Sequence, residues 1–496
     1  MHVSALALLR SLLSELSDHF SEELSEASIG QSAISAVRLL EVREKGGNAF
    51  LVRRLDAAAE VIDKLAAMPA LAANPLVTRL QTEAQGATQQ HSPIDLTDSL
   101  AKLSTQLEAL ISESATGSVD AYSRAELTRV LAQWEVADRR SLTEAEGGAG
   151  DERDERITQE RFEAYLQDRF AEPDLQVTSF RPLPGGFGKQ TILVSVEGRA
   201  IEGALVIRRD PRVPLPDNDC HRVRNEYPVI RAAFAHGFPA PEALWLDTEH
   251  GLLPGPDFFV MRMSPGKTGG NVFRSTQALS HELVDVLASG VARLHTLPSL
   301  VELGDLTDSI RTDRWALPMH EATRLYVRGW FDLFRASTHN PSPTLMALYG
   351  WILNNIPDAP GRPVLVHGDV GFHNMLIDKG RLSALVDWEF AHIGDPAEDM
   401  GSIRNSLGDA MWDDVMLAYQ AAGGPEIDAQ RLHFFRVWQH VRNASASNLA
   451  MGKFQTGEVT DLKLAYTGHY HFPLFIKAAS DLIAAGPNGA ELKVDY

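Results

Sequence analysis

A chain of 496 residues, 44% of them hydrophobic, can bury two or three cores, which excludes a disordered or fibrous protein. Its formal net charge of -20 argues against a general nucleic-acid or anionic-membrane surface, because both need clustered Lys and Arg. The single cysteine, Cys220, excludes an internal disulfide and fits a reducing cytoplasm, where the protein is expected to reside.

The leucines from Leu6 to Leu13 crowd together as in a signal peptide. Helical spacing nevertheless continues through Leu16, Phe20 and Leu24, with Glu15 and Asp18 interrupting and no small-residue cleavage site following. No stretch approaches the length of a membrane span. Further apolar stripes at helical spacing follow: Ile34, Val37 and Leu40, then Leu51, Leu55, Ala58, Ile62 and Leu65, then Leu96, Leu100, Leu103, Leu107 and Leu110. A capping box, Ser123 to Glu126, opens a last helix carrying Leu127, Leu131 and Trp134. Residues 1–140 therefore read as an all-α bundle domain. The charged belt from Arg38 to Arg54 reads as a solvated helix face, and the bundle is where a partner or a second copy of the chain would dock. Residues 141–154, rich in Glu, Asp, Gly and Ala, form an acidic linker.

Residues 155–265 are expected to be β-rich. After a helix from Thr158 to Phe170 comes Pro184-Gly185-Gly186-Phe187-Gly188-Lys189, followed by the strand Ile192 to Val196. Glycines let a backbone fold over a phosphate and offer it N–H groups, although a lone cluster is equally a hairpin turn. A P-loop would need glycine at Leu183 and a hydroxyl residue at Gln190, and both requirements fail. A second strand, Ala204 to Ile207, delivers Arg208 and Arg209, and Asp210-Pro211 stops it. A helix from about Cys220 to His236 carries Glu226, and strands follow at Ala243 to Leu246 and Phe258 to Met263. Residues 266–496 read as mainly helical, with helices near Glu321 to Phe334 and Pro343 to Asn354 and three more after Trp412.

Within this last region, Val364-Leu365-Val366 delivers His367-Gly368-Asp369 to a loop, Asn374 closes the loop, and two short apolar runs end at Asp387. Phosphoryl transfer needs a carboxylate to orient the attacking hydroxyl and oxygen ligands to hold Mg²⁺ on the phosphates of ATP. Asp369 fits the first role as the catalytic residue. Asn374 and Asp387 fit the second as metal ligands.

The spacing H-x-D-x-x-x-x-N followed by an acid at a strand end is that of kinase catalytic and metal loops. With His-Gly-Asp at His367 to Asp369 and Asp-Trp-Glu at Asp387 to Glu389, the chain resembles the aminoglycoside phosphotransferase and choline kinase relatives of the protein kinases. Arg208, where kinases carry lysine, looks like the phosphotransferase branch found fused to acyl-CoA dehydrogenases. This resemblance implies an α+β, two-lobed protein-kinase-like fold behind the bundle, with 155–265 as the ATP-binding lobe and 266–496 as the helical lobe. It implies that Gly185, Gly186, Gly188, Lys189 and Arg208 steady the phosphates and that Glu226 pairs with Arg208. It further implies that backbone groups from Met261 to Met263 receive adenine, and that the acceptor is the hydroxyl of a small molecule such as a 4-hydroxyacyl-CoA. His295 and Asp399 are structural in this reading. Trp438, His440, Arg442, Tyr466, His469, Tyr470 and His471 are candidate substrate contacts, although helical packing explains such residues more often. The rivals are an aminoglycoside or amino-alcohol kinase, which the acidic balance favours, and a catalytically silent nucleotide-binding regulator, which Arg208 keeps open.

Overall fold

The computed structural model describes residues 52, 54–87, 93–116, 121–142, 157–183, 188–211, 213, 221–248, 251–268, 281–298, 312–337, 340–407, 411–455 and 467–487. The chain divides into two compact units, one of residues 1–150, 330–355 and 437–496, the other of 151–329 and 356–436. The expected boundary at residue 266 is therefore not a line along which contacts divide. Helical periodicity identifies an apolar face but not the core that the face joins. The first two leucine stripes, the belt up to Arg53, Cys220 and most of the acidic linker lie outside the described residues. Among the described residues, no helix is long and apolar enough to cross a membrane.

The first unit is helical, with helices over 54–66, Pro75–Ala87, Pro93–Thr116, Ala121–Leu142, Pro343–Asn354 and Phe472–Ala485. The apolar residues at helical spacing are the ones it buries: Leu55, Ala58, Ile62 and Leu65, then Leu96, Leu103, Leu107 and Leu110, then Leu127, Leu131 and Trp134. The expected capping box is not one, because the helix is already running at Ala121 and Glu126 turns instead to Arg129, 2.8 Å away. Helix Pro343–Asn354 starts on an N-cap, Ser342, whose hydroxyl accepts the Leu345 N–H at 3.0 Å. Two carboxylates complete its N-terminus. Glu108 accepts the Ser342 N–H at 2.7 Å and Glu135 the Thr344 N–H at 3.2 Å, so donors that no helical carbonyl can reach are satisfied from neighbouring helices.

The second unit is mixed. Its helix Gln159–Phe170 is capped by Thr158 and ends where Ala171 turns left-handed, at φ 50°. An antiparallel sheet follows, built from β1 (Gln176–Pro182), β2 (Gln190–Glu197), β3 (Gly203–Arg209), β4 (Ala243–Asp247) and β5 (Phe258–Arg262) in the order β1-β2-β3-β5-β4. Period-two alternation on β3 explains what each side chain meets. Leu205 and Ile207 join a core with Phe162 and Leu166, while Val206 joins the core of Val229 and Ile230 on helix Val223–Ala235. Arg208, two residues on from Val206, therefore faces that helix.

The rest of this unit adds β6 (Lys267–Thr268), helix His281–His295, β7 (Val364–Val366), β8 (Met375–Asp378), β9 (Arg381–Leu385), β10 (His392–Gly394) and helices Ala397–Leu407 and Trp412–Ala421. β7 pairs with β10, and β6, β8 and β9 form a small sheet. The two parts of the unit are stitched where the Leu385 N–H donates to the Pro239 carbonyl at 2.8 Å. At Gly266 the connecting chain has φ +109° and passes so near β8 that a Cβ would stand 2.7 Å from the Ile377 carbonyl oxygen. Only glycine satisfies both conditions without strain.

Candidate active site

The loop after β7 is built on a buried frame. Asp399, fully buried, accepts the N–H groups of His367 at 3.0 Å and Gly368 at 2.7 Å, and meets His295 Nε2 at 3.0 Å. Burial opposes its ionisation, but these donors outweigh that cost and hold its carboxyl below the ordinary value. His295 reaches the Tyr419 hydroxyl through its other nitrogen at 2.7 Å, so it is a satisfied structural histidine. His367 is fixed as a tautomer as well. Its Nδ1 accepts the Asp369 N–H at 3.3 Å, so Nε2 carries the hydrogen that faces the Val386 carbonyl at 3.0 Å. Burial keeps this imidazole neutral by lowering its pKa.

Asn374 spends its amide nitrogen on Asp369, reaching the backbone oxygen at 2.9 Å and Oδ2 at 3.0 Å. That orientation follows from donor chemistry and leaves Oδ1 as the acceptor end of the amide. The Asn374 carbonyl accepts the Val386 N–H at 2.8 Å, which ties the loop to the segment carrying Asp387. Asp369 and Asp387 share surroundings, since both act electrostatically on His367 and on His373. Asp387 itself is left-handed, at φ 67° and ψ 66°, and starts the short 3-10 turn Trp388–Phe390. That turn brings Glu389 back toward the sheet.

Arg208 is the hub of the charged cluster. Its Nε stands 2.9 Å from Glu226 Oε1, its Nη2 hydrogen-bonds Asp387, and Nη2 also lies 3.9 Å from Glu389. Burial alone would disfavour the guanidinium charge, but Asp387, Glu226 and Glu389 together raise its pKa. Glu226 has no exposed surface and also accepts the Trp388 N–H at 3.2 Å. Burial raises its pKa against the pull of Arg208. The predicted pair of Arg208 with Glu226 is thus formed, and it extends to Asp387.

Lys189 is buried rather than open to solvent. It donates to the His221 carbonyl and lies 3.6 Å from Asp210 and 3.5 Å from Glu389. Sequence pattern alone does not mark Glu389 or Asp210 as site residues. The carboxyl of Glu389 is pushed up to about 7, first by burial and then by the neighbouring charge of Asp387. Gly188 abuts it so closely that a Cβ would stand 2.8 Å from Glu389 Oε1. Gly185 and Gly186 lie outside the described residues. Met261 is committed to the sheet opposite Val206, the Arg262 N–H goes to the Glu242 carbonyl at 2.9 Å, and the Met263 N–H goes to the Ala204 carbonyl at 3.0 Å.

The candidate contacts Trp438, His440, Arg442, His469, Tyr470 and His471 belong to the other unit. Trp438 packs on Tyr349, and His440 and His471 pack on Phe475. Tyr466 lies outside the described residues.

Comparison with known proteins matches residues 179–435, just over half of the chain, to a family model described as "Phosphotransferase enzyme family". Among curated proteins, Acyl-CoA dehydrogenase family member 11 of Rattus norvegicus is 26% identical over 261 residues, covering 50% of this chain and 32% of that protein. The same-named protein of Gallus gallus is 24% identical over 339 residues, covering 62% of this chain and 41% of that one. The chain thus spans well under half the length of the curated relatives it matches. Among solved structures, a macrolide 2'-phosphotransferase from Brachybacterium faecium is 21% identical with a TM-score of 0.42, covering 62% of this chain and 97% of that one.

Proposed function

Since the chain belongs to the phosphotransferase enzyme family, we propose that it is an ATP-dependent small-molecule kinase acting on a substrate hydroxyl. The observation that carries this reading is the bridge made by Arg208, which meets Glu226 on the following helix and Asp387 beyond β9 with one guanidinium. Kinases position nucleotide phosphates with a strand cation paired to a helix glutamate and a nearby metal-binding aspartate. Arginine can serve that geometry because its fork reaches two carboxylates at once, where lysine offers a single point charge.

In this reading Asp369 orients the acceptor hydroxyl and receives its proton, the hydroxyl oxygen bonds to the γ-phosphorus, and the bond to the departing ADP breaks. Arg208 and the N–H groups of Gly185, Gly186 and Gly188 hold the phosphates. Lys189 acts one step back, supporting Glu389 and Asp210. Adenine is met by carbonyl oxygens of the Met261 to Met263 segment and by N–H groups beyond it, because the Arg262 and Met263 N–H groups are already used.

The donor set fits Mg²⁺, which takes oxygen ligands from one or two carboxylates and the nucleotide phosphates. Asn374 Oδ1, Asp387 and Glu389 would hold it. The cluster sets Lys189 and Arg208 against Asp210, Glu226, Asp387 and Glu389, and burial, reinforced by the charge of Asp387, raises Glu389 toward neutrality. When bound, Mg²⁺ neutralises charge developing on the β- and γ-phosphates.

The acceptor class we assign is a hydroxyacyl-CoA, on the resemblance to acyl-CoA dehydrogenase-associated relatives. The test is to incubate the purified chain with Mg·ATP and panels of hydroxyacyl-CoAs and amino alcohols, following ADP and product mass. A phosphorylated thioester is the expected product. Phosphorylation of amino alcohols alone would overturn the acceptor class, and ATP binding without turnover on either panel would overturn the kinase reading.

A further inference from the structure

The loop between Asp369 and Asn374 contains a second device that the roles above do not use. Val370 and Phe372 are buried in the core of this unit, and the Val370 carbonyl accepts the Ser402 hydroxyl at 3.1 Å. The Asn374 N–H closes the turn on the Gly371 carbonyl at 3.0 Å. In that turn the imidazole of His373 folds back over Gly371, where a Cβ would stand 2.7 Å from both its Cε1 and its Nδ1. The missing side chain at 371 is the space the ring occupies. His373 Nε2 consequently comes within 3.3 Å of Asp369 Oδ2, the same oxygen that Asn374 Nδ2 reaches at 3.0 Å.

We propose that His373 is a positioning residue for phosphoryl transfer, its Nε2–H fixing the plane of the Asp369 carboxylate, and that Gly371 exists to admit it. The proposal rests on the kinase reading above. A carboxylate held by one donor can still turn about its Cβ–Cγ bond. A second donor on the same oxygen sets that rotation, and with it the direction from which the acceptor hydroxyl must approach. Such misplacement lowers the rate of the chemical step far more than it weakens nucleotide binding.

The experiment compares the full chain with His373→Phe, His373→Gln, Gly371→Ala and the Gly371→Ala/His373→Phe double variant, with Asp369→Asn as reference. The probes are Mg·ATP and 4-hydroxybutyryl-CoA, and thermal midpoints are measured in parallel. Phenylalanine keeps the ring without the donor, so kcat should fall about tenfold or more while KM for ATP stays within about twofold, as expected for loss of a hydrogen bond to a charged group. Glutamine, which can present an N–H at a similar reach, should recover most of kcat. Gly371→Ala should resemble His373→Phe, and the double variant should be no worse than either.

Should His373→Phe keep full kcat while Asp369→Asn is inactive, the positioning role is overturned and the kinase reading stands. Additive losses in the double variant would overturn the part assigned to Gly371. Full activity in Asp369→Asn would instead overturn the kinase reading itself. For variants with little activity, the side-chain nitrogen NMR signal of His373 gives a second readout. It should move on Asp369→Asn, and an unmoved signal rejects the contact.

Discussion

Arg208 Nε stands 2.9 Å from Glu226 Oε1, and the Nη2 of the same guanidinium hydrogen-bonds Asp387, so one side chain from β3 holds both a helix and the putting-down point of β9. The two contacts have different consequences when broken. Glu226→Ala should destabilise the chain by about 3 kcal/mol, because a buried guanidinium then loses its fully buried partner. Arg208→Lys should spare most of that stability yet lower kcat/KM for ATP about tenfold, since one ammonium cannot serve both acids. Urea denaturation and steady-state kinetics separate the two effects.

Gly188→Ala is expected to act through Glu389. The added methyl group meets that carboxylate, which must swing away from Lys189. A fall of about tenfold or more in kcat/KM for ATP, with a thermal midpoint close to the parent's, is the expected result, in line with the cost of misplacing a group near the chemistry. Unchanged kinetics would mean that Glu389 plays no part in holding the nucleotide.

The raised carboxyl of Glu389 predicts a pH dependence with a definite sign. Between its unfolded value of 4.5 and its folded value of about 7, the native state keeps a proton that the unfolded chain has released. Stability from this group is therefore lost as pH rises through that window, because the native state binds more protons there. Buried Glu226 and Asp210, also raised, act in the same direction. Glu389→Gln removes the linkage, so the midpoint of the variant minus that of the parent should grow between about pH 5 and pH 8 without metal. Scanning fluorimetry across that range checks it, and a flat difference would contradict the assignment.

Asp399, fully buried, braces the loop through the N–H groups of His367 and Gly368. Asp399→Asn turns an acceptor-only side chain into one with a donor face, so it cannot serve the His367 N–H, the Gly368 N–H and His295 together. A loss of about 2–4 kcal/mol by urea denaturation is expected, with kcat falling as the loop loosens. Retention of full stability would show that the loop is braced elsewhere.

In the helical unit, Glu108 and Glu135 accept N–H groups at the start of helix Pro343–Asn354. Burial raises the carboxyl of Glu108, yet its hydrogen bond remains. Replacing it with alanine should cost about 1–2 kcal/mol, the usual scale for losing an N-terminal acceptor. Circular dichroism melts of the full chain measure this.

What could be read without coordinates follows from how local each signal is. The loop from His367 to Asn374 was legible because its parts lie within one turn of chain. Arg208 was legible because a strand of four apolar residues must deliver its next residue to one face. Glu389 was missed, for its position depends on the left-handed Asp387 and the 3-10 turn that carries it back to Lys189. Sequence marks Asp210 merely as the end of a strand, whereas its carboxylate accepts the Val223 N–H at 3.1 Å and faces Lys189. The grouping of residues 330–355 and 437–496 with the bundle was equally invisible, because an apolar stripe carries no address for its partner.

Asp387 holds a backbone conformation that most side chains resist, and this governs which replacements there can be interpreted. Asparagine and glycine enter the left-handed region at small cost, whereas a β-branched residue does not. Asp387→Asn would thus subtract the negative charge while preserving the path of the main chain. Asp387→Val would disturb both together, and a dead enzyme from that variant would say nothing about what the carboxylate binds.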